Sequence, residues 1–214
     1  CKKFSAQQRH YISYHAKKQS LMAGIYLHIP FCAKKCHYCN FFSLASQKNM
    51  GAFIDALCRE IELQKDYLQN ENISTIYFGG GTPSLLPIEY LKRILDQLNT
   101  NFQIVKNAEI TLEANPDDLN YEKLRQISET SINRLSIGIQ SFDDEDLKFL
   151  NRSHSAQQAS EAIYNAHKLG LNNISIDLIY GIPGLNDEKW KQNIEKAISS
   201  GVQHISAYSL TVES

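Results

Sequence analysis

The sequence predicts an α/β fold in which parallel strands alternate with covering helices, arranged either as a partial (β/α)6 barrel or as an open doubly wound sheet. Two observations carry this. Six strand-like runs alternate with five helical patterns along the 214 residues, and consecutive parallel strands need crossovers of that kind. The residues best suited to chemistry are a cysteine loop after the first run, Gly79-Gly80-Gly81, Glu113, Gln140 and Gly181. All end or follow strand-like runs, where either architecture gathers its chemistry. Periodicity alone does not choose between the two.

Taken in order, residues 25–29 form the first strand-like run and lead into the cysteine loop. A helical pattern over 50–69 sets Phe53, Leu57, Cys58 and Ile61 at helical spacing, so Cys58 reads as a buried thiol. Residues 73–78, rich in β-branched and aromatic side chains, are the second strand and run into the triple glycine before a helix over 88–98. The third strand, 108–113, precedes a helix over 121–129, and the fourth, 133–139, precedes one over 156–169 that Gly170 closes. The fifth strand is 174–180, followed by a helix over 187–199 with Gly201 beyond it, and 204–210 is the sixth. No low-complexity linker or internal repeat interrupts this alternation, so residues 22–214 read as one domain.

With 43% hydrophobic and 21% charged residues the composition is that of a water-soluble globular chain. No apolar run approaches the ~20 residues a membrane span needs. The net charge of −1 is unevenly spread: the first 21 residues hold Lys2, Lys3, Arg9, Lys17 and Lys18 and no acid, leaving 17 basic against 23 acidic groups in the remainder. The main body therefore offers no nucleic-acid face. The basic start could be an organellar presequence or follow a processed lipoprotein cysteine. Met22-Ala23-Gly24 before the first strand favours a third reading, that 1–21 are a poorly ordered or non-native extension and Cys1 marks a fragment boundary. At the other end the chain stops just after a strand-like run with no covering helix, which leaves a sheet edge exposed. The expectation is an N-terminal portion of a longer protein. Free thiols without an export signal place it in the cytoplasm, with membrane contact only through partners.

The cysteine loop, Cys32-Ala33-Lys34-Lys35-Cys36-His37-Tyr38-Cys39, carries the most specific chemistry. A structural zinc site is closed by four ligands, and a 4Fe-4S cluster on four thiolates is an electron carrier. Three thiolates on one loop suit a cubane with one iron left open. A Cys3His zinc knuckle using His37 is the alternative, although adjacent residues rarely reach one ion, and a disulfide leaves one cysteine unpaired.

Other candidates sit at strand ends. Gly79-Gly80-Gly81-Thr82 lets the backbone bend sharply and approach a ligand, or is simply a tight strand-to-helix turn. No Gly-Lys-Ser/Thr follows, so it is not a P-loop. Glu113 can accept hydrogen bonds from ribose or ammonium groups, and Asp177 is an expensive acid in an apolar strand unless paired. Arg152 offers a planar fork for a carboxylate. His154 reads as a local hydrogen-bond former, His167 and His204 as structural, and His28 lies on the strand nearest the cysteines.

Tyr26-x-His28-Ile29-Pro30-Phe31-Cys32-x3-Cys36-x-Tyr38-Cys39 closely resembles the radical S-adenosylmethionine superfamily. With Gly79-Gly80-Gly81, Ile137-Gly138-Ile139-Gln140-Ser141-Phe142, Leu150-Asn151-Arg152 and Asp177-Leu178-Ile179-Tyr180-Gly181-Ile182-Pro183-Gly184, it resembles the branch of oxygen-independent coproporphyrinogen III dehydrogenases and HemW-type heme chaperones. The resemblance implies a partial (β/α)6 radical SAM barrel, cut after its sixth strand. It implies a 4Fe-4S cluster on Cys32, Cys36 and Cys39 whose open iron chelates S-adenosylmethionine and, on electron transfer, cleaves it to a 5′-deoxyadenosyl radical. By the same resemblance Tyr26, Gly80 and Glu113 contact that S-adenosylmethionine. Tyr38, Gly81, Thr82, Gln140, Arg152 and Asp177 match a second S-adenosylmethionine site in the dehydrogenase. Where the dehydrogenase has a further cysteine, this chain has Phe41, as in the chaperone type. The expected function is therefore heme binding and transfer to respiratory proteins, with an electron donor and a homodimer as further implied partners. Coproporphyrinogen oxidative decarboxylation and a zinc-stabilised binding module are the alternatives.

Overall fold

The computed structural model describes residues 22–211; the basic segment 1–21, expected as an extension, lies outside them, as do 212–214. Strands β1 (Ala23–Ile29), β2 (Ile73–Gly80), β3 (Ile104–Ala114), β4 (Arg134–Gln140), β5 (Ile174–Tyr180) and β6 (His204–Ser209) form one sheet in sequence order, every neighbouring pair parallel. A doubly wound sheet reverses its strand order at a switch point. Here each crossover steps to the next strand in the same direction, and right-handed connections then put every helix on one face. That settles the architecture as the partial (β/α)6 barrel.

The strands alternate in a way that parallel strands buried on both faces do not. Leu27 and Ile29, Ile76 and Phe78, Leu112 and Ala114, Leu135, Ile137 and Ile139, and Ile174, Ile176 and Leu178 are all buried in the core. Full burial of each leucine, isoleucine or phenylalanine among them contributes about 1.5–3 kcal/mol. The intervening positions carry Tyr77, Glu113, Ser136, Gly138 and Asp177 and turn to the concave side. Register places Glu113 beside Ser136 and Gly138 beside Asp177, so a polar inner wall is built strand by strand.

Helices α1 (Met50–Leu63), α2 (Ile88–Asn101), α3 (Tyr121–Ser128), α4 (Asp144–Phe149), α5 (Ala156–Lys168) and α6 (Asp187–Ser199) complete the element order. Two of them differ most from expectation, while α2 runs three residues beyond its expected end at 98. α1 stops at Leu63 rather than 69, because its buried stripe of Met50, Ile54, Leu57, Cys58 and Ile61 ends there and Leu63 is 66% exposed. Without a packing face, Gln69 and Asn70 instead take positive φ (49° and 62°) and turn the chain into β2. α4 is too short for its periodicity to show. It is held by the Asp143 side chain, which accepts from the Glu145 and Asp146 amides, and by three acids in its first turn. Asn151, at φ 60°, closes it in the left-handed conformation. Among the described residues no helix is long and apolar enough to cross a membrane.

Candidate cofactor site

The loop after β1 is held from both sides before any cofactor is considered. Leu44 N–H donates to Pro30 O (2.6 Å) and Cys32 N–H to Leu44 O (3.1 Å), closing the loop into a ring. On the β2 side, Gly81 and Thr82 amides donate to Ile29 O (2.8 Å) and Phe31 O (2.7 Å). On the far side, Asn151 Nδ2 donates to Lys35 O (2.8 Å) and the His37 amide to Leu150 O (3.3 Å). The short segment after α4 thus grips the middle of the cysteine loop.

This clamp lines a cavity of ≈ 460 Å³ at the C-terminal ends of the strands. Eleven of the twelve residues singled out in the sequence face it: Cys32, Cys36, Cys39, Tyr38, Gly80, Gly81, Thr82, Glu113, Gln140, Arg152 and Asp177. The twelfth, Tyr26, does not line it. Its ring stacks on Tyr77 at 5.9 Å, its hydroxyl lies 3.3 Å from His28 Nδ1, and it is 58% exposed.

The polar wall is pre-oriented. Glu113 accepts from Tyr77 OH (2.8 Å) and from the Gly80 amide (3.0 Å), so it is a fixed carboxylate rather than a solvated strand end. Gly80 needs to be glycine twice over: its φ is +111°, and a Cβ would stand 2.5 Å from the His28 ring. The glycine run therefore serves packing of protein against protein as well as access to the cavity. Arg152 donates through Nη2 to Asn115 Oδ1 (2.6 Å) and Gly138 O (2.8 Å), and through Nη1 to Cys36 Sγ (3.4 Å) and Tyr38 OH (3.4 Å). Thr82 Oγ1 donates to Cys32 Sγ (3.5 Å) while accepting from Asn115 Nδ2 (3.2 Å). Burial raises the Tyr38 phenol against the pull of Arg152, which keeps it a neutral hydroxyl.

Three contributors escaped the sequence reading. Asn115 joins Arg152 to Thr82; Gly138 leaves the space that Gln140 Nε2 (2.8 Å from a built Cβ) and Arg152 Nη2 (3.4 Å) occupy; Ser136 lines the wall. Gln140 itself sits at φ 66° beyond an irregularity in the β4–β5 register, which turns its buried side chain into the cavity.

Asp177 was expected to be paired or costly, and it is both. Its carboxyl is pushed up to about 6 by burial and by the Glu113 charge, against a lowering hydrogen bond from Ser206. The folded value lies above the unfolded one, so the cost of ionising Asp177 is absent below pH ~4, grows as pH rises, and is complete above pH ~6. Asp177→Asn is thus expected to stabilise the protein by about 1–3 kcal/mol at pH 7.5, a gain that shrinks towards zero as pH falls to 4. Urea denaturation of both chains across that range checks it; a gain independent of pH excludes the electrostatic cause.

The profile of the Radical SAM superfamily matches residues 26–197. The chain belongs to the radical SAM superfamily. Within it, the heme chaperone HemW of Buchnera aphidicola subsp. Acyrthosiphon pisum is 40% identical over 192 residues, covering 89% of this chain and 51% of that protein. The heme chaperone HemW of Escherichia coli (strain K12) is 36% identical over 192 residues, with the same shares. The structure of coproporphyrinogen III oxidase (HemN) from Escherichia coli, a radical SAM enzyme, superposes with a TM-score of 0.81 at 28% identity, covering 88% of this chain and 44% of that one. The chain spans about half the length of the curated relatives it matches.

Membership of the radical SAM superfamily implies a 4Fe-4S cluster and S-adenosylmethionine. The donor set fits such a cluster. Cys32, Cys36 and Cys39 are partly exposed at one end of the cavity, with hydrogen-bond donors already aimed at two of the sulfurs, whereas Cys58 is buried in α1 and its thiol is raised by that burial. Thiolates sharing one zinc at about 2.3 Å would crowd together. Among the described residues no three His, Cys, Asp or Glu side chains converge on a single-ion site.

Proposed function

We propose that this chain is the radical SAM core of a HemW-type heme chaperone, with a 4Fe-4S cluster on Cys32, Cys36 and Cys39, S-adenosylmethionine beside Glu113 and Gly80, and heme as cargo. When bound, the cluster would supply an electron and an iron with an open coordination position. The chain's own residues do the rest. Glu113, fixed by Tyr77 and Gly80, presents a carboxylate to an ammonium or ribose hydroxyl. Arg152 and Thr82 donate towards Cys36 and Cys32, and such hydrogen bonds help set a cluster's potential. Asp177, on the same lining, offers a carboxyl group to a cationic ligand.

The observation that carries the chaperone reading is Phe41. It stands two residues beyond Cys39, where the resemblance gives the dehydrogenase a further thiol, and its ring is 70% exposed on the cavity lining. An apolar ring there, with Tyr208, Lys34 and Lys35 lining the same cavity, suits a flat macrocycle bearing carboxylates. Relatives named heme chaperone HemW support the same reading. Respiratory proteins as recipients, an electron donor and a homodimer belong to this proposal.

The fold similarity to coproporphyrinogen III oxidase favours the second reading, radical decarboxylation of coproporphyrinogen propionates. Anaerobic reconstitution of the full-length protein separates the two. Stable heme binding without turnover of coproporphyrinogen supports the chaperone; product formation overturns it in favour of the enzyme.

A further inference from the structure

Beneath Arg152 lies a buried polar group that the proposed function does not use. His154 follows the Leu150-Asn151-Arg152 segment, and its side chain is completely inaccessible to solvent. Its Nε2 lies 3.1 Å from Ile139 O. A carbonyl only accepts, so Nε2 carries the proton and Nδ1, in the neutral ring, presents a lone pair. Facing it at 3.9 Å is Asp117 Oδ1, another acceptor. The other oxygen of Asp117 is already bound by Ser153 Oγ (2.8 Å).

His154 Nδ1 and Asp117 Oδ1 are both buried and have no hydrogen-bond partner among the described residues, and the third such atom is Arg152 Nε. Two acceptors and one donor remain on three neighbouring side chains. The Arg152 and Asp117 charges both act on His154, and the Asp117 charge acts on Arg152. Leaving each atom unpaired would cost about 1–3 kcal/mol. Two acceptors sharing one water stand roughly 4–4.5 Å apart, close to the observed separation.

We propose that a single buried water joins these residues, donating to His154 Nδ1 and Asp117 Oδ1 and accepting from Arg152 Nε–H, and that His154 and Asp117 are thereby positioning residues for the Arg152 guanidinium. Three hydrogen bonds are what a buried water typically makes. Four contacts of the Arg152 Nη1 and Nη2 atoms reach Cys36, Tyr38, Asn115 and Gly138 from the same planar guanidinium. Locking Nε fixes the plane, and the plane fixes the donor to Cys36 Sγ. The neutral state of His154 agrees: burial first, and the Arg152 charge second, lower it to about 4, against raising contributions from Ile139 O, Asp117 and Asp144.

The tests read this arrangement directly and do not depend on heme binding or on any turnover. Long-range proton–nitrogen NMR of the histidine rings in the full chain is expected to show His154 as the neutral Nε2–H tautomer throughout pH 5.5–8. An imidazolium, or a proton on Nδ1, overturns the proposal. A high-resolution crystal structure is expected to show one ordered water within about 3.2 Å of all three atoms; a direct Asp117–Arg152 pair in its place also overturns it. In reconstituted protein, His154→Leu is expected to shift the cluster midpoint to a more negative potential, as one sulfur donor loosens. It should also weaken S-adenosylmethionine binding roughly tenfold. His154→Gln, which keeps a donor for Ile139 and an acceptor for the water, is expected to restore both. A loss of melting temperature with unchanged potential and affinity would show that His154 is merely structural.

Discussion

Replacing Cys36 by alanine is expected to reduce bound iron by at least about tenfold after anaerobic reconstitution and to remove the brown chromophore, with the circular dichroism of the fold retained. Losing even an outer-shell partner typically costs 10–100-fold in metal affinity, and Cys36 is one of three thiols that line the cavity among the described residues. Its sulfur accepts from Arg152, and its carbonyl accepts from the Cys39 amide (3.3 Å), so it opens the loop's last turn. The loop backbone is held by Gly81, Thr82, Leu44 and Asn151, none of which depends on the sulfur. Cys58→Ala provides the contrast. That thiol belongs to the buried stripe of α1, and its loss is expected to cost about 1 kcal/mol of stability while leaving iron content unchanged. Wild-type iron in Cys36→Ala, or depleted iron in Cys58→Ala, would remove the ligand assignment.

The contrast between these cysteines was legible in the sequence because each sits in a local pattern: three thiols on one loop, a fourth at helical spacing. Strand existence and order of chemistry were legible for the same reason. What was hidden depends on tertiary neighbours. Asn115 belongs to no local pattern, yet its amide spans Thr82 and Arg152, which are distant in sequence. Gly138 looked like one more strand residue, and its role comes from tertiary neighbours: Gln140 and Arg152 crowd around its missing Cβ, and its carbonyl accepts from Arg152. The choice between barrel and doubly wound sheet rested on strand order, which no local period encodes; the sheet order decided it. Tyr26, placed at the cofactor by resemblance, stacks on Tyr77 and is close enough to the cavity-lining Glu113 for that charge to raise its phenol.

The triple glycine is where local and tertiary causes meet, and Gly81 offers the sharpest test of how the barrel and the cysteine loop are joined. A Cβ at Gly81 would stand 2.6 Å from Phe31 O, 2.9 Å from Ile29 O and 2.9 Å from Pro30 C. All three are backbone atoms, so no side chain can swing aside. The chain directly before Cys32 cannot retreat either, because Phe31 is buried and packs edge-on against Phe53 at 5.3 Å. The added methyl must therefore stretch the Gly81–Ile29 and Thr82–Phe31 hydrogen bonds and draw Thr82 Oγ1 away from Cys32 Sγ. Overpacking of this kind costs about 1–3 kcal/mol. Gly81→Ala is expected to lose that much stability in urea denaturation and also to bind several-fold less iron. Gly170→Ala is the matched control: its φ of +82° carries a strain cost of about 1 kcal/mol, but nothing lies within 4 Å of its Cβ. It should melt earlier yet load normally. If both variants loaded like the wild type, the turn after β2 would not hold the cysteine loop; if both loaded poorly, iron uptake would follow global stability and not this contact.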